Sequence, residues 1–239
     1  MSFKKLFRRG LRKIGFDLVR YSSKVHPLAR RMKLIESYKI NHVLDVGANK
    51  GQYAARLREL GYMGKITSFE PTSDAYSGLY KVSKNDKLWS SYNYALGNET
   101  RKSTINIARN SYSSSLLGML PRHVSSAPES EYITTENIEI KPLDDIFGDL
   151  VDIGENVYLK IDTQGYEDSV LRGAKKSLDQ IATIQLEMSL VELYEGEMLF
   201  DEMYNKLHNM GYQLVSLEPG FSDGGSGQLL QVDGIFHRL

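Results

Sequence analysis

Residues 42–71, HVLDVGANKGQYAARLRELGYMGKITSFEP, constrain the fold more than any other stretch. The apolar run HVLDV reads as a strand buried on both faces, ending at Asp45. Gly47 and Gly51 then turn the chain. QYAARLREL carries its apolar residues at helical spacing, and KITSFE returns to a strand that Pro71 ends sharply. A strand, a helix and a second strand joined this tightly make a parallel pair with a crossover. The rest of the chain must therefore supply more strands beside it and helices on both faces.

The same rhythm continues. SDAYSGLYKVS predicts a helix and WSSYNYAL a strand. STINIA and YITTENIEIK are β-branched strands flanking a polar insert, residues 108–132. NVYLKID is a buried strand followed by a helix over YEDSVLRGAKKSL. ATIQLEMS and EMLFDEMYNKLHNMG add another strand and helix. YQLVSLE and GQLLQVDGIFHRL follow each other with no helix between, which predicts an antiparallel pair at a sheet edge. The expected class is α/β, a doubly wound and mostly parallel sheet. The insert is too long for a plain connection, so it is a functional lid or a mobile segment.

Composition adds an asymmetry that the net charge of zero conceals. Residues 1–39 carry 12 Lys and Arg against Asp17 and Glu36, a net of +10, and the remainder balances it. Phe3, Leu6, Phe7, Leu11, Ile14 and Leu18 recur at helical spacing among these bases, which predicts a basic amphipathic helix. The boundary falls near Tyr38, giving an arm over 1–39 and a body over 40–239. Residues 1–20 could cover the body with their apolar stripe, or meet an anionic membrane surface or a protein partner. A nucleic acid is disfavoured, because no aromatic-studded basic sheet or zinc motif accompanies the bases. The chain has no cysteine, which excludes disulfides and thiolate metal sites. No unbroken apolar segment marks a signal peptide or a spanning helix. A cytoplasmic protein is expected, peripheral to the inner face of a membrane if the arm binds lipid.

The glycine turn lets a ligand lie against backbone amides and the start of a helix. G-A-N-K-G departs from the G-x-G-x-x-G that cradles a pyrophosphate, so a nucleoside without diphosphate is expected. Glu70, at the next strand end, is placed to accept ribose hydroxyls. Asp45 is expected to face the same cleft, disfavouring phosphate and favouring a cationic ligand. S-adenosylmethionine meets all three demands. Asn93 and the backbone at Ala95, at the third strand end, could read an adenine edge.

Asp162 and Glu187 repeat the pattern at two further strand ends and are expected side by side. Like charges in one cleft raise one another's pKa, which suits a general base. His123 in the insert is the second candidate base. Glu167, in a first helical turn, is more simply a favourable charge at the helix dipole. Three carboxylates could hold a divalent cation, but no histidine stands at a matching strand end, so a metal is possible and not favoured.

LDVGANKGQYAARLRELGYMGKITSFEP, YALGN, SSSLL, LKIDTQGYEDSVLRGA and LEMSLVELYEG together resemble the FkbM family of methyltransferases. The resemblance runs from about Asn41 to the C-terminus. It implies a Rossmann-like class I methyltransferase fold with a seven-stranded sheet, S-adenosyl-L-methionine as cofactor, and methyl transfer to a hydroxyl of a sugar, glycan or related natural-product acceptor. Carried over by position, Asp45, Gly47, Asn49 and Gly51 form the first cofactor loop. Glu70 is the ribose acid, and Asp162 lies near the methionine end. A nucleoside-binding module without catalysis and an NAD-dependent oxidoreductase are the alternatives.

Overall fold

The computed structural model describes residues 3–238. It divides into two units, Met1–Tyr38 and Lys39–Leu239. The first two residues of the arm and the side chains of Phe3 and Lys4 lie outside the described residues.

In the first unit, helix α1 spans Phe3–Lys13. The apolar spacing predicts helix as far as Leu18, and the helix stops short of that. Gly15 takes a left-handed φ of 84°, and Asp17 turns back to accept hydrogen bonds from Arg8 at 3.2 Å and Arg12 at 2.8 Å. Helix α2, Pro27–Ser37, begins with proline, where the missing N–H costs no helical hydrogen bond.

In the second unit, β1 (His42–Val46), α3 (Gln52–Glu59), β2 (Lys65–Phe69), α4 (Ser73–Ser83) and β3 (Trp89–Tyr92) build the predicted β-α-β-α-β run. The chain then departs from expectation. WSSYNYAL is not one strand: it breaks at Asn93, whose side-chain amide donates to the carbonyls of Glu70 and Pro71 at 3.0 and 2.9 Å. The next piece, β4 (Ala95–Leu96), leaves the main sheet. It pairs with β6 (Tyr132–Lys141), which pairs antiparallel with β5 (Arg101–Ala108) to make a second, three-stranded sheet. Between β5 and β6 lies α5 (Pro121–Ser126).

After α6 (Leu143–Leu150) come β7 (Val157–Ile161), α7 (Glu167–Arg172), β8 (Thr183–Ser189), α8 (Phe200–Asn209), β9 (Gln213–Pro219) and β10 (Gln231–His237). Helix α7 is shorter than its sequence predicts. Gly173 packs so closely on Gly97 that an added Cβ would lie 1.8 Å from its carbonyl oxygen, and the chain turns there.

The main sheet has the order β3-β2-β1-β7-β8-β10-β9. The first five strands are parallel, and β10 runs antiparallel between β8 and β9. The expected terminal pair is present, with β10 inside the sheet and β9 at its edge. Leu44, Leu159, Ile184 and Leu186 on one face pack under Val170 and Leu171 of α7 and Leu207 of α8. The strand order reverses between β1 and β7, and the crevice at their carboxyl ends is where open α/β sheets hold ligands.

Candidate active site

Val46 and Ile161 are register partners, so the loops after β1 and β7 leave the sheet side by side. Gly47 is required there twice over. Its φ is 74°, and an added Cβ would lie 1.8 Å from the carbonyl oxygen of Asp162. Above these loops opens a cavity of about 240 Å³ whose lining includes Gly47, Asn49, Glu70, Ala95, Asp162 and Glu187. Six sequence-predicted positions from five different segments thus meet in one place.

The loop after β1 is closed on itself. The N–H groups of Gly47 and Ala48 both donate to the carbonyl of Phe69 at 3.0 Å, and that of Gly51 to Ala48 at 2.8 Å. Asn49 N–H donates to Glu70 Oε2 at 2.9 Å, and Lys50 N–H to the side chain of Asn49 at 2.8 Å. Every main-chain donor from Gly47 to Gly51 is therefore used. With these amides engaged, the loop offers no nest for phosphate. Gly51 serves instead as the left-handed residue that starts α3, with Leu79, Val82 and Trp89 packed against it.

Glu70 is buried, and burial pushes its pKa up. Thr72 N–H and Oγ1 donate to Oε1 at 2.9 and 2.6 Å, opposing that shift. A carboxylate oxygen accepts two hydrogen bonds, so Oε2, held once by Asn49, keeps capacity toward the cavity.

Asp45 does not line the cavity. Its side chain is 0% exposed and forms an ion pair at 3.1 Å with Lys160 of β7. A buried carboxylate needs a counter-charge more than it needs the cleft. Lys160 also reaches Asp162 at 3.4 Å and the carbonyl of Gly47 at 3.3 Å. Burial alone would lower the Lys160 pKa, but Asp45 and Asp162 outweigh it and hold the ammonium charged. Asp162 is 39% exposed and is the acid of this trio that opens on the cavity.

Asp162 and Glu187 are joined as predicted, through a residue not anticipated. Gln164 Nε2 donates to Asp162 Oδ1 and to Glu187 Oε2, each at 2.8 Å. Gln231 Nε2 donates to the same Glu187 oxygen at 3.0 Å. Burial and the charges of Asp162, Asp233 and Glu167 raise the Glu187 pKa well above the ordinary value. Glu167 is more than a helix-dipole charge. It is buried, accepts from Thr163 N–H at 2.8 Å, and is pushed up to about 7.

Four predicted positions lie outside the cavity lining: Asp45 and Gly51, already described, and Asn93 and His123. Asn93 closes the break after β3. His123 is enclosed between the rings of Tyr194 and Phe221, at 5.0 and 5.3 Å. Its Nδ1 has no hydrogen-bond partner among the described residues, and burial lowers its pKa to about 4. The insert around it is tied down rather than free: Ser115 pairs with Asn106 in both directions, and its hydroxyl donates to the carbonyl of Gln164 at 2.6 Å. Among the described residues, no group of three acidic or histidine side chains is placed to hold a metal ion. No helix of those residues is long and apolar enough to cross a membrane.

The family described as the methyltransferase FkbM domain matches residues 45–214. The chain belongs to the FkbM methyltransferase family. Its fold is similar to the crystal structure of methyltransferase FkbM from Methylobacillus flagellatus, with a TM-score of 0.50 and 17% identity. That alignment covers 82% of this chain and 43% of the other, so this chain spans under half the length of the solved FkbM protein. Looser similarities are to TehB from Haemophilus influenzae, TM-score 0.46 and 10% identity, covering 87% and 61% of the two chains. Another is Sp1610 of Streptococcus pneumoniae, solved with S-adenosyl-L-methionine, at 0.43 and 11%, covering 87% and 72%. No curated protein matches the chain. Within this FkbM chain, sequence reasoning missed Lys160, Gln164, Tyr194 and Gln231. Only Lys160 carried a signal, as a lysine inside an apolar strand, where burial without a partner is excluded.

Proposed function

We propose that this FkbM protein transfers a methyl group from S-adenosyl-L-methionine to a hydroxyl oxygen of a sugar, glycan or related natural-product acceptor. The observation that carries the reading is one cavity that combines acceptor capacity on Glu70, an exposed Asp162 and a loop with no amide free for phosphate. That donor set fits a ribose, an ammonium and no diphosphate. Phe69, Leu96 and Leu116 supply apolar wall suited to a purine face. When bound, the cofactor supplies an electrophilic methyl. Glu70 would hold the ribose hydroxyls and Asp162 the amino end. Glu187, or Asp162 itself, takes the acceptor's proton; burial and the neighbouring acids raise the Glu187 pKa and so make its carboxylate a stronger base.

Calorimetry with S-adenosyl-L-methionine and with NAD tests the cofactor. Binding of the first and not the second is expected, and the reverse would overturn the reading in favour of an oxidoreductase. Release of labelled methyl to acceptor separates enzyme from binding module. Glu70→Ala should weaken cofactor binding by about 1–3 kcal/mol, the scale of hydrogen bonds to a charged group. Unchanged affinity would remove Glu70 from the ribose site.

The basic arm fits an anionic membrane surface, by charge and by its helical apolar spacing. Deleting residues 1–20 should leave cofactor affinity intact and abolish co-sedimentation with vesicles containing phosphatidylserine. Undiminished co-sedimentation would overturn the membrane reading, and a truncated protein that precipitates or melts much lower would show that the arm covers apolar surface of its own chain.

A further inference from the structure

Four segments of the chain meet on Gln164. Its Nε2 donates to Asp162 and Glu187, and its Oε1 accepts from the Tyr194 hydroxyl at 2.7 Å. Its main-chain carbonyl accepts from Ser115 of the insert at 2.6 Å. The residue itself sits at φ 56°, a left-handed conformation disfavoured for any side chain but glycine. Such a conformation persists only when its surroundings over-determine it, and such residues cluster at functional sites.

The chemistry of the amide explains the arrangement. A carboxamide has two N–H donors, and here each goes to a different carboxylate. Flipping the amide would turn its oxygen onto two acids and its donors away from them. Tyr194, itself buried, holds the oxygen end and fixes the orientation. Without a shared donor, two neighbouring carboxylates separate or take up a proton.

We propose that Gln164 is the positioning residue of the acid pair, holding Asp162 and Glu187 as one unit with Glu187 ready to accept a proton.

The groups facing Glu187 leave that task to neutral amides. Asp162 comes from the end of β7, Glu167 from α7 and Asp233 from β10, and all three are acidic. Tyr194 adds a hydroxyl whose own pKa is raised by burial. The buried cation of β7, Lys160, is already shared by Asp45 and Asp162. Donation from Gln164 and Gln231 therefore stabilises the ionised form of Glu187 against three like charges.

Gln164→Met keeps the length of the side chain and removes both donors. With carboxyl-labelled glutamate, Glu187 should titrate about one pH unit higher in the variant than in the wild type. Its signal is identified by its absence from Glu187→Gln. The acidic limb of kcat/KM should move with it, a loss of about tenfold on that limb that is recovered at higher pH. Tyr194→Phe leaves the donors and frees the amide, so a smaller shift in the same direction is expected; this variant decides the matter if Gln164→Met does not fold. Identical titration of Glu187 in wild type and variants would overturn the proposal, as would a rate loss equal at every pH. The kinetic arm rests on the proposed methyl transfer, and the titration does not. A wild type that binds no S-adenosyl-L-methionine would sink the former reading and leave the latter measurable.

Discussion

Glu187→Gln should lower the rate of methyl transfer about 10²–10⁴-fold, the range for a positioned acid or base. The substitution keeps shape and hydrogen-bonding length and removes proton acceptance. Cofactor affinity should change little, since Glu70 and Asp162 carry the contacts assigned to the cofactor. The wild-type rate should rise with pH through the raised pKa of Glu187, because only the ionised carboxylate accepts a proton. Stability responds in the opposite sense. A carboxyl whose pKa is raised by folding contributes its stability fully below the ordinary glutamate value of about 4.3 and loses it as pH rises through the folded value. Glutamine has no proton to lose, so at pH 8 the variant should melt no lower than the wild type. Loss of activity together with a lower melting temperature would mean damaged packing rather than a missing base. Full activity in Glu187→Gln with loss in Asp162→Asn would move the base to Asp162. Loss confined to His123→Ala would move it to the insert, against the enclosed position of that ring.

Lys160→Met should destabilise the fold by about 3–5 kcal/mol, the cost of stranding a buried charge. The charge left behind is Asp45, which has no exposure and whose other close side-chain polar contact among the described residues is Ser68 Oγ at 3.4 Å. Methionine fills similar volume, so the cost is electrostatic rather than a cavity. Urea denaturation measures it directly. Lys160→Met combined with Asp45→Leu should recover most of the loss, because a buried ion pair replaced by apolar residues of similar size is often neutral. A double variant no more stable than the single one would show that the pair is not the source. Asp45 is on this account structural, and Asp162 is the acid of the trio that opens on the cavity.

The alternation of apolar strands with amphipathic helices was legible from residue 42 onward, because burial on both faces leaves continuous apolar runs. Glu70 and Asp162 directly follow β2 and β7 as those runs predict, whereas Asp45 and Glu187 lie within β1 and β8. The convergence of Glu70, Asp162 and Glu187 followed too, because strand ends in a parallel sheet lie along one edge. The interruption at Asn93, the second sheet and the packed insert were not legible. Each depends on partners distant in sequence, such as β6 for β4 and Gln164 for Ser115.

Pattern and spacing by themselves determined the class of fold, the edge that holds the site and three of its acids. Only the tertiary structure decided how each acid is paired and which of them opens on the cavity. Asp45 lies within β1 and Asp162 just past the neighbouring β7, with the same chemistry, and Lys160 lies against both. Burial commits Asp45 to that lysine, while the exposed face of Asp162 remains open to the cavity. Charge in a low-dielectric interior is governed by its nearest counter-charge, and nearness across strands is set by packing rather than by position along the chain.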